Sequence, residues 1–162
     1  MPQKSQMSTT STPALNRRAD APTLLYVEDD AATACIFKTI LVDEMQRHVR
    51  LLTVLNGESA LMALAGTGPY VNAPRPDMIV LDWNLPGMNG LTLMTKIREM
   101  PAFRHVPIIF FSCSKIDSDR RAALALGALA FVQKPIGFDE FWRAVDGVYS
   151  LFASTPDLQT RL

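Results

Sequence analysis

Pro76-Asp77-Met78-Ile79-Val80-Leu81-Asp82-Trp83-Asn84-Leu85-Pro86 is the stretch that decides the fold. Four apolar residues, Met78 to Leu81, end abruptly in a carboxylate. A short, continuous apolar run bounded by turn residues reads as a strand buried on both faces, as in a parallel sheet. Asp82 then stands at the carboxyl end of that strand, the edge at which open α/β sheets bind ligands. The plainer role for the same residue is to cap the following turn, where Asp is common. The stretch alone leaves both roles open.

Outward from it, strands and helices alternate. Thr23-Leu24-Leu25-Tyr26-Val27 reads as a first strand, ending in Glu28-Asp29-Asp30. Residues 31–47 follow as a helix with Asp30 as its N-cap. Phe37, Leu41 and Met45 fall four apart, with Ile36 and Ile40 on the adjoining row, which gives one apolar face. Residues 48–55 form a second strand, Asn56-Gly57 a turn, and 58–65 a short helix closed by Gly66. Residues 91–100 form a third helix stopped by Pro101, and 107–112 a fourth buried strand. A fourth helix, capped by Asp117 or Ser118, runs to about residue 126, and 129–133 is a fifth strand. The last helix has the clearest pattern: Phe138, Phe141, Trp142, Val145, Val148, Tyr149 and Phe152 make a stripe that must face apolar surface, most simply the sheet.

Five strands alternating with five helices predict an α/β fold with a parallel sheet. Right-handed crossovers put helices on both faces. The doubly wound, flavodoxin-like order 2-1-3-4-5 is one common solution, and it would bring Glu28 and Asp29 beside Asp82. Periodicity does not fix that order.

The chain has 162 residues, enough for one domain with a sizeable core. Lys and Arg number 16 and so do Asp and Glu, giving a formal charge of zero, which argues against a broad nucleic-acid or membrane-surface role. No apolar run approaches membrane-spanning length. Cys35 and Cys113 fit no metal or redox spacing and read as reduced thiols of a cytoplasmic protein. Cys113 reads as a small buried hydrophobe. Residues 1–21 are rich in Ser, Thr, Gln and Pro, lack the apolar core of a secretory signal and read as a disordered tail. Residues 22–152 hold the globular part, and 153–162 form a polar tail in which no further domain fits.

Four strands end in polar groups: Glu28 and Asp29 after the first, Asp82 after the third, Ser112 at the fourth and Lys134 after the fifth. A parallel sheet collects those ends on one edge. Three carboxylates close together repel, and burial worsens the cost, so a proton or a cation must relieve them. Oxygen-only ligands suit a hard divalent ion, Mg²⁺ above all where several waters remain. A carboxylate, a divalent ion, a lysine and a hydroxyl are together what phosphoryl transfer needs. The carboxylate can itself be the nucleophile. Singly, each residue has a plainer role: helix-start acids for Glu28 and Asp29, a turn residue for Ser112, a surface charge for Lys134.

Taken together, these residues resemble a known family. The pieces are Tyr26-Val27-Glu28-Asp29-Asp30, Asn56-Gly57-Glu58-Ser59-Ala60-Leu61, Pro76-Asp77 with Asp82 to Gly90, Ser112, and Gly127 to Pro135. Their order and spacing are similar to the receiver domain of two-component response regulators, of the stand-alone chemotaxis-regulator type. Ser112 lies thirty positions beyond Asp82, and Lys134 twenty-two beyond Ser112. The resemblance implies that Asp82 is a phosphoacceptor and that Mg²⁺ is held by Asp29 directly, by Glu28 through water, by Asp82 and by the backbone carbonyl of Asn84. It further implies Ser112 as switch hydroxyl, Phe131 as switch aromatic, Lys134 as partner of the phosphoryl group, and a cis Lys134-Pro135 bond.

The implied partners are a histidine kinase or histidine phosphotransfer protein as donor and another protein as target, read through the face of helix four, strand five and helix five. A homodimer through the last helix is a further expectation; a nucleic acid or a membrane is not. No catalytic activity beyond self-phosphotransfer and autodephosphorylation is expected. Two other classes share parts of the pattern. An aspartate-nucleophile phosphatase would need a second Asp where Asn84 stands, after the first strand and not the third. A flavin-binding electron carrier would need a Ser/Thr- and Gly-rich phosphate loop where Glu28-Asp29-Asp30 stands.

Overall fold

A computed structural model describes residues 21–156. The expected N-terminal tail therefore lies outside the described residues, except for Ala21, as does the polar tail beyond residue 156.

The chain alternates strand and helix throughout: β1 (Thr23–Val27), α1 (Ala31–Lys38), β2 (Arg50–Val54), α2 (Gly57–Ala65), β3 (Met78–Leu81), α3 (Gly90–Glu99), β4 (Ile108–Ser112), α4 (Asp117–Ala125), β5 (Ala130–Gln133) and α5 (Phe138–Ala153). All strand pairs are parallel, in the order β2-β1-β3-β4-β5. This is the flavodoxin-like, doubly wound arrangement. Every residue of β1, β3 and β4 is buried, whereas β2 and β5 are largely half-exposed edges. The continuous apolar runs thus mark the three central strands, as burial on both faces requires.

Side chains alternate across the sheet. Leu25, Val27, Ile79, Leu81 and Phe110 pack on α2, α3 and Ala123 of α4. Leu24, Tyr26, Met78, Val80, Ile109 and Phe111 pack on α1 and α5. Burying each large apolar side chain contributes about 1.5–3 kcal/mol, so the two layers fix the sheet between them.

Local chemistry sets the helix ends. Asp30, Asn56 and Asn89 each accept a backbone N–H three residues on, at 2.8 Å, as N-caps do. Gly66 closes α2 at φ 64°, a left-handed conformation open to glycine.

Four expectations need correction. The first helix does not stay α-helical to residue 47: from Thr39 to Glu44 it widens to a π-helix, with Met45 N–H donating to the Ile40 carbonyl. The wider turn keeps both Ile40 and Leu41 fully buried. Neither Asp117 nor Ser118 caps α4, whose first turn carries no side-chain cap. Ser114 organises that entrance instead, accepting from Ile116 N–H and donating to Asp119 Oδ2 at 2.6 Å. Phe138 does not join the α5 stripe on the sheet; it is 59% exposed, while Phe141, Val145, Val148 and Phe152 are buried. Cys113 is exposed, because β4 ends one residue earlier and the chain turns outward there.

Candidate functional site

Parallel pairing brings the strand ends level. Val27 pairs with Val54 and Leu81, and Leu81 with Phe110. The ladders continue one step past the strands: Glu28 N–H donates to Val54 O, Asp82 N–H to Val27 O and Lys134 N–H to Ser112 O, at 2.8–3.0 Å. Backbone hydrogen bonds therefore hold Glu28, Asp82 and Lys134 along one edge.

Glu28, Asp82, Ser112 and Lys134 are buried, and Asp29 is exposed at the mouth of the site. One carboxylate oxygen from each of Glu28, Asp29 and Asp82 lies within 4.8 Å of the others. Lys134 Nζ bridges two of these acids, 3.0 Å from Asp82 Oδ2 and in contact with Glu28 Oε2. Burial opposes the charge on Lys134, but the hydrogen bond to Glu28 and the charges of Asp82 and Glu28 outweigh it, so its pKa is raised. Three carboxylates and one ammonium leave two negative charges in excess. An oxygen-only set with that excess fits a hard divalent cation, and Glu28, Asp29 and Asp82 are the side chains that would hold it.

The remaining expected residues lie around this centre. Asn84 is exposed, and its N–H points to Asp82 Oδ1 at 3.4 Å. Ser112, fully buried, accepts from Ser114 N–H at 3.3 Å. Phe131 is half-buried, stacked on Phe110 at 5.9 Å and edge-on to Trp83 at 6.0 Å. It borders an open recess of about 130 Å³ beneath the β4–α4 loop. The expected cis Lys134-Pro135 bond is absent: no peptide bond among the described residues is cis. The trans form is the intrinsically favoured one for X–Pro, and with it Lys134 already reaches both acids.

One residue of the site escaped the sequence reading. Tyr26 stood there as a residue of the first strand with no role in the site, yet its hydroxyl donates to Glu28 Oε2 at 2.8 Å. Burial first, then the neighbouring Glu28 charge, pushes its phenol pKa far above the usual range. The available signal was its position two residues before Glu28, on the same strand face.

Comparison with known proteins follows the same lines. The sequence pattern of the response regulator receiver domain matches residues 24–146. The chain is 27% identical over 135 residues to the response regulator Rcp1 of Synechocystis sp., covering 83% of this chain and 91% of Rcp1. Rcp1 has also been solved in an Mn²⁺-bound form, with a TM-score of 0.75 and 26% identity over 83% of this chain and 96% of that one. The phosphorylated cyanobacterial phytochrome response regulator RcpA gives a TM-score of 0.76 at 26% identity, over 83% of this chain and 95% of RcpA. Of PleD from Caulobacter vibrioides, 35% identical over 104 residues, the match takes in 61% of this chain and 23% of PleD.

Proposed function

The chain belongs to the response regulator receiver domain family, and on that premise we propose that it accepts a phosphoryl group from a phosphohistidine partner onto Asp82. Receiver domains are phosphoacceptors served by histidine kinases. The donor here is a histidine kinase or a histidine phosphotransfer protein. One Asp82 oxygen attacks phosphorus while the bond from phosphorus to the donor's histidine nitrogen breaks. The observation that carries this reading is the pairing of buried Asp82 with Lys134 at 3.0 Å inside a three-carboxylate cluster.

Mg²⁺ is the proposed ion, held by Asp29, Asp82, the Asn84 carbonyl and, through water, Glu28; when bound it offsets charge on the phosphoryl oxygens. The Mn²⁺-bound form of Rcp1 supports a divalent ion here. Lys134 pairs with a phosphoryl oxygen, and Ser112 donates its hydroxyl to another. The phosphoryl group adds roughly −1.5 to −2 of charge, by analogy with other phosphoresidues. Phe131 follows the movement of Ser112 and changes the face made by α4, β5 and α5. That face is read by a target protein, and a second copy of the chain is one partner it would fit. Beyond self-phosphotransfer and loss of the phosphoryl group no further chemistry is proposed, and the proposed compartment is the cytoplasm.

Acetyl phosphate with Mg²⁺ is expected to label the unmutated protein and to leave Asp82→Asn unlabelled. Equal labelling of the two would remove Asp82 from the role. Trp83 adjoins the acidic cluster, so its fluorescence is expected to respond to Mg²⁺.

A further inference from the structure

Tyr26 is fully buried near the carboxyl end of β1, between Leu25 and Val27. Its ring packs on Phe37 at a centroid distance of 4.3 Å and on Phe111 at 6.4 Å. Those contacts need only a phenyl ring. The hydroxyl has a different partner, Glu28 Oε2 at 2.8 Å. Residues two apart on a strand share a face and stand roughly 6.5–7 Å apart along it, so a side chain as long as tyrosine spans the gap and an aliphatic one would not.

The hydrogen bonds of Glu28 show what this contact does. Oε1 accepts from Asp30 N–H at 3.1 Å. Oε2 accepts from Tyr26 and also from Lys134. Lys134 is shared with Asp82. Once Asp82 carries a phosphoryl group, Lys134 is drawn to it, and Oε2 would keep a single protein donor, the Tyr26 hydroxyl. A phenol fixes the carboxylate without adding positive charge that would repel a divalent ion.

We propose that Tyr26 is the positioning residue of Glu28, holding its carboxylate toward the acidic cluster both at rest and after Lys134 has turned to the phosphoryl group. This rests on the reading of Asp82 as phosphoacceptor beside a divalent ion. Outer hydrogen-bond partners of metal-associated groups typically set affinity by 10–100-fold.

The test is Tyr26→Phe, which keeps the ring and deletes the hydroxyl. Calorimetric titration with Mg²⁺ is expected to give a dissociation constant raised about tenfold. Acetyl phosphate labelling of Asp82 is expected to return to the unmutated rate at saturating Mg²⁺. In a Glu28→Gln background, Tyr26→Phe is expected to change Mg²⁺ affinity no further. Unchanged affinity in the single variant, or the same loss in the Glu28→Gln background, overturns the proposal while leaving the phosphoacceptor reading intact. Failure of the unmutated protein to bind Mg²⁺ at all would overturn both. Should Tyr26→Phe not fold, the hydroxyl proton of Tyr26 in the unmutated protein decides by NMR: it is expected to shift on Mg²⁺ addition, and an unmoved resonance overturns the proposal.

Discussion

Lys134 is the residue on which the resting site turns. Among the described residues it is the cation paired with the three-carboxylate cluster, and two of those carboxylates touch it. Breaking a buried ion pair by removing one partner typically costs about 3–5 kcal/mol. Lys134→Met is therefore expected to lower the unfolding free energy by about 3 kcal/mol in chelator, with part of the loss recovered on adding Mg²⁺; urea denaturation with and without the ion measures both. The pH dependence has a definite sign. The pKa of Lys134 and that of Tyr26 are raised on folding. Between the unfolded and folded values the unfolded chain binds fewer protons, so stability falls as pH rises. The contribution of both groups is intact below about pH 10, the ordinary range of lysine and tyrosine, and is lost as pH climbs through their raised folded values. Urea midpoints are expected to decline above about pH 10, and to decline less steeply in Lys134→Met. A decline unaltered by that substitution would mean that Lys134 does not carry the linkage.

At the scale of elements, Gly90 ties a helix to the site. It opens α3 and donates its N–H to the Trp83 carbonyl at 2.8 Å. A Cβ placed there would collide with the Asp82 carbonyl and stand 2.8 Å from the Phe110 ring. The helix can thus approach the end of β3 only through glycine. Gly90→Ala is expected to cost about 1–3 kcal/mol by overpacking, measured by urea denaturation, and to slow acetyl phosphate labelling because the strain falls on Asp82. The central strands were legible in the sequence because each is a short, mostly apolar run, and the start of α1 because the Asp30 side chain accepts a backbone N–H. Asn56 and Asn89 cap α2 and α3 in the same way, but Asn56 read only as a turn residue and Asn89 was not singled out. The π-helical stretch after α1 was not legible, since Ile40 and Leu41 fit an apolar face in either winding. The entrance to α4 misled for a related reason: Asp117, Ser118 and Ser114 are all capping types, and only the three-dimensional turn shows that Ser114 makes the bonds.

At the scale of the molecule, strand order brings the site together. Glu28, Asp82 and Lys134 lie far apart in sequence, and the order β2-β1-β3-β4-β5 sets their strand ends side by side. Periodicity does not encode that order; the spacing of the acids, Ser112 and Lys134 carried it through family resemblance. On the proposed reading, the same order is the route by which a local event at Asp82 would reach a distant face. Ser112 ends β4, and β4 pairs with β5 through Phe110 and Phe131. Phe131 is stacked on Phe110 and edge-on to Trp83, half-buried beside the recess under the β4–α4 loop. If Ser112 couples the phosphoryl group to Phe131, deleting its hydroxyl separates the chemistry from the response. Ser112→Ala is expected to be labelled on Asp82 and to leave the backbone amide shifts of α4, β5 and α5 at their resting positions, whereas labelling the unmutated protein moves them. The equilibrium can shift only by the difference in free energy with which the phosphoryl group is held in the two states. Removing one of its hydrogen bonds reduces that difference directly. Amide shifts that move equally in both proteins would assign the coupling to Lys134 and the backbone in place of Ser112.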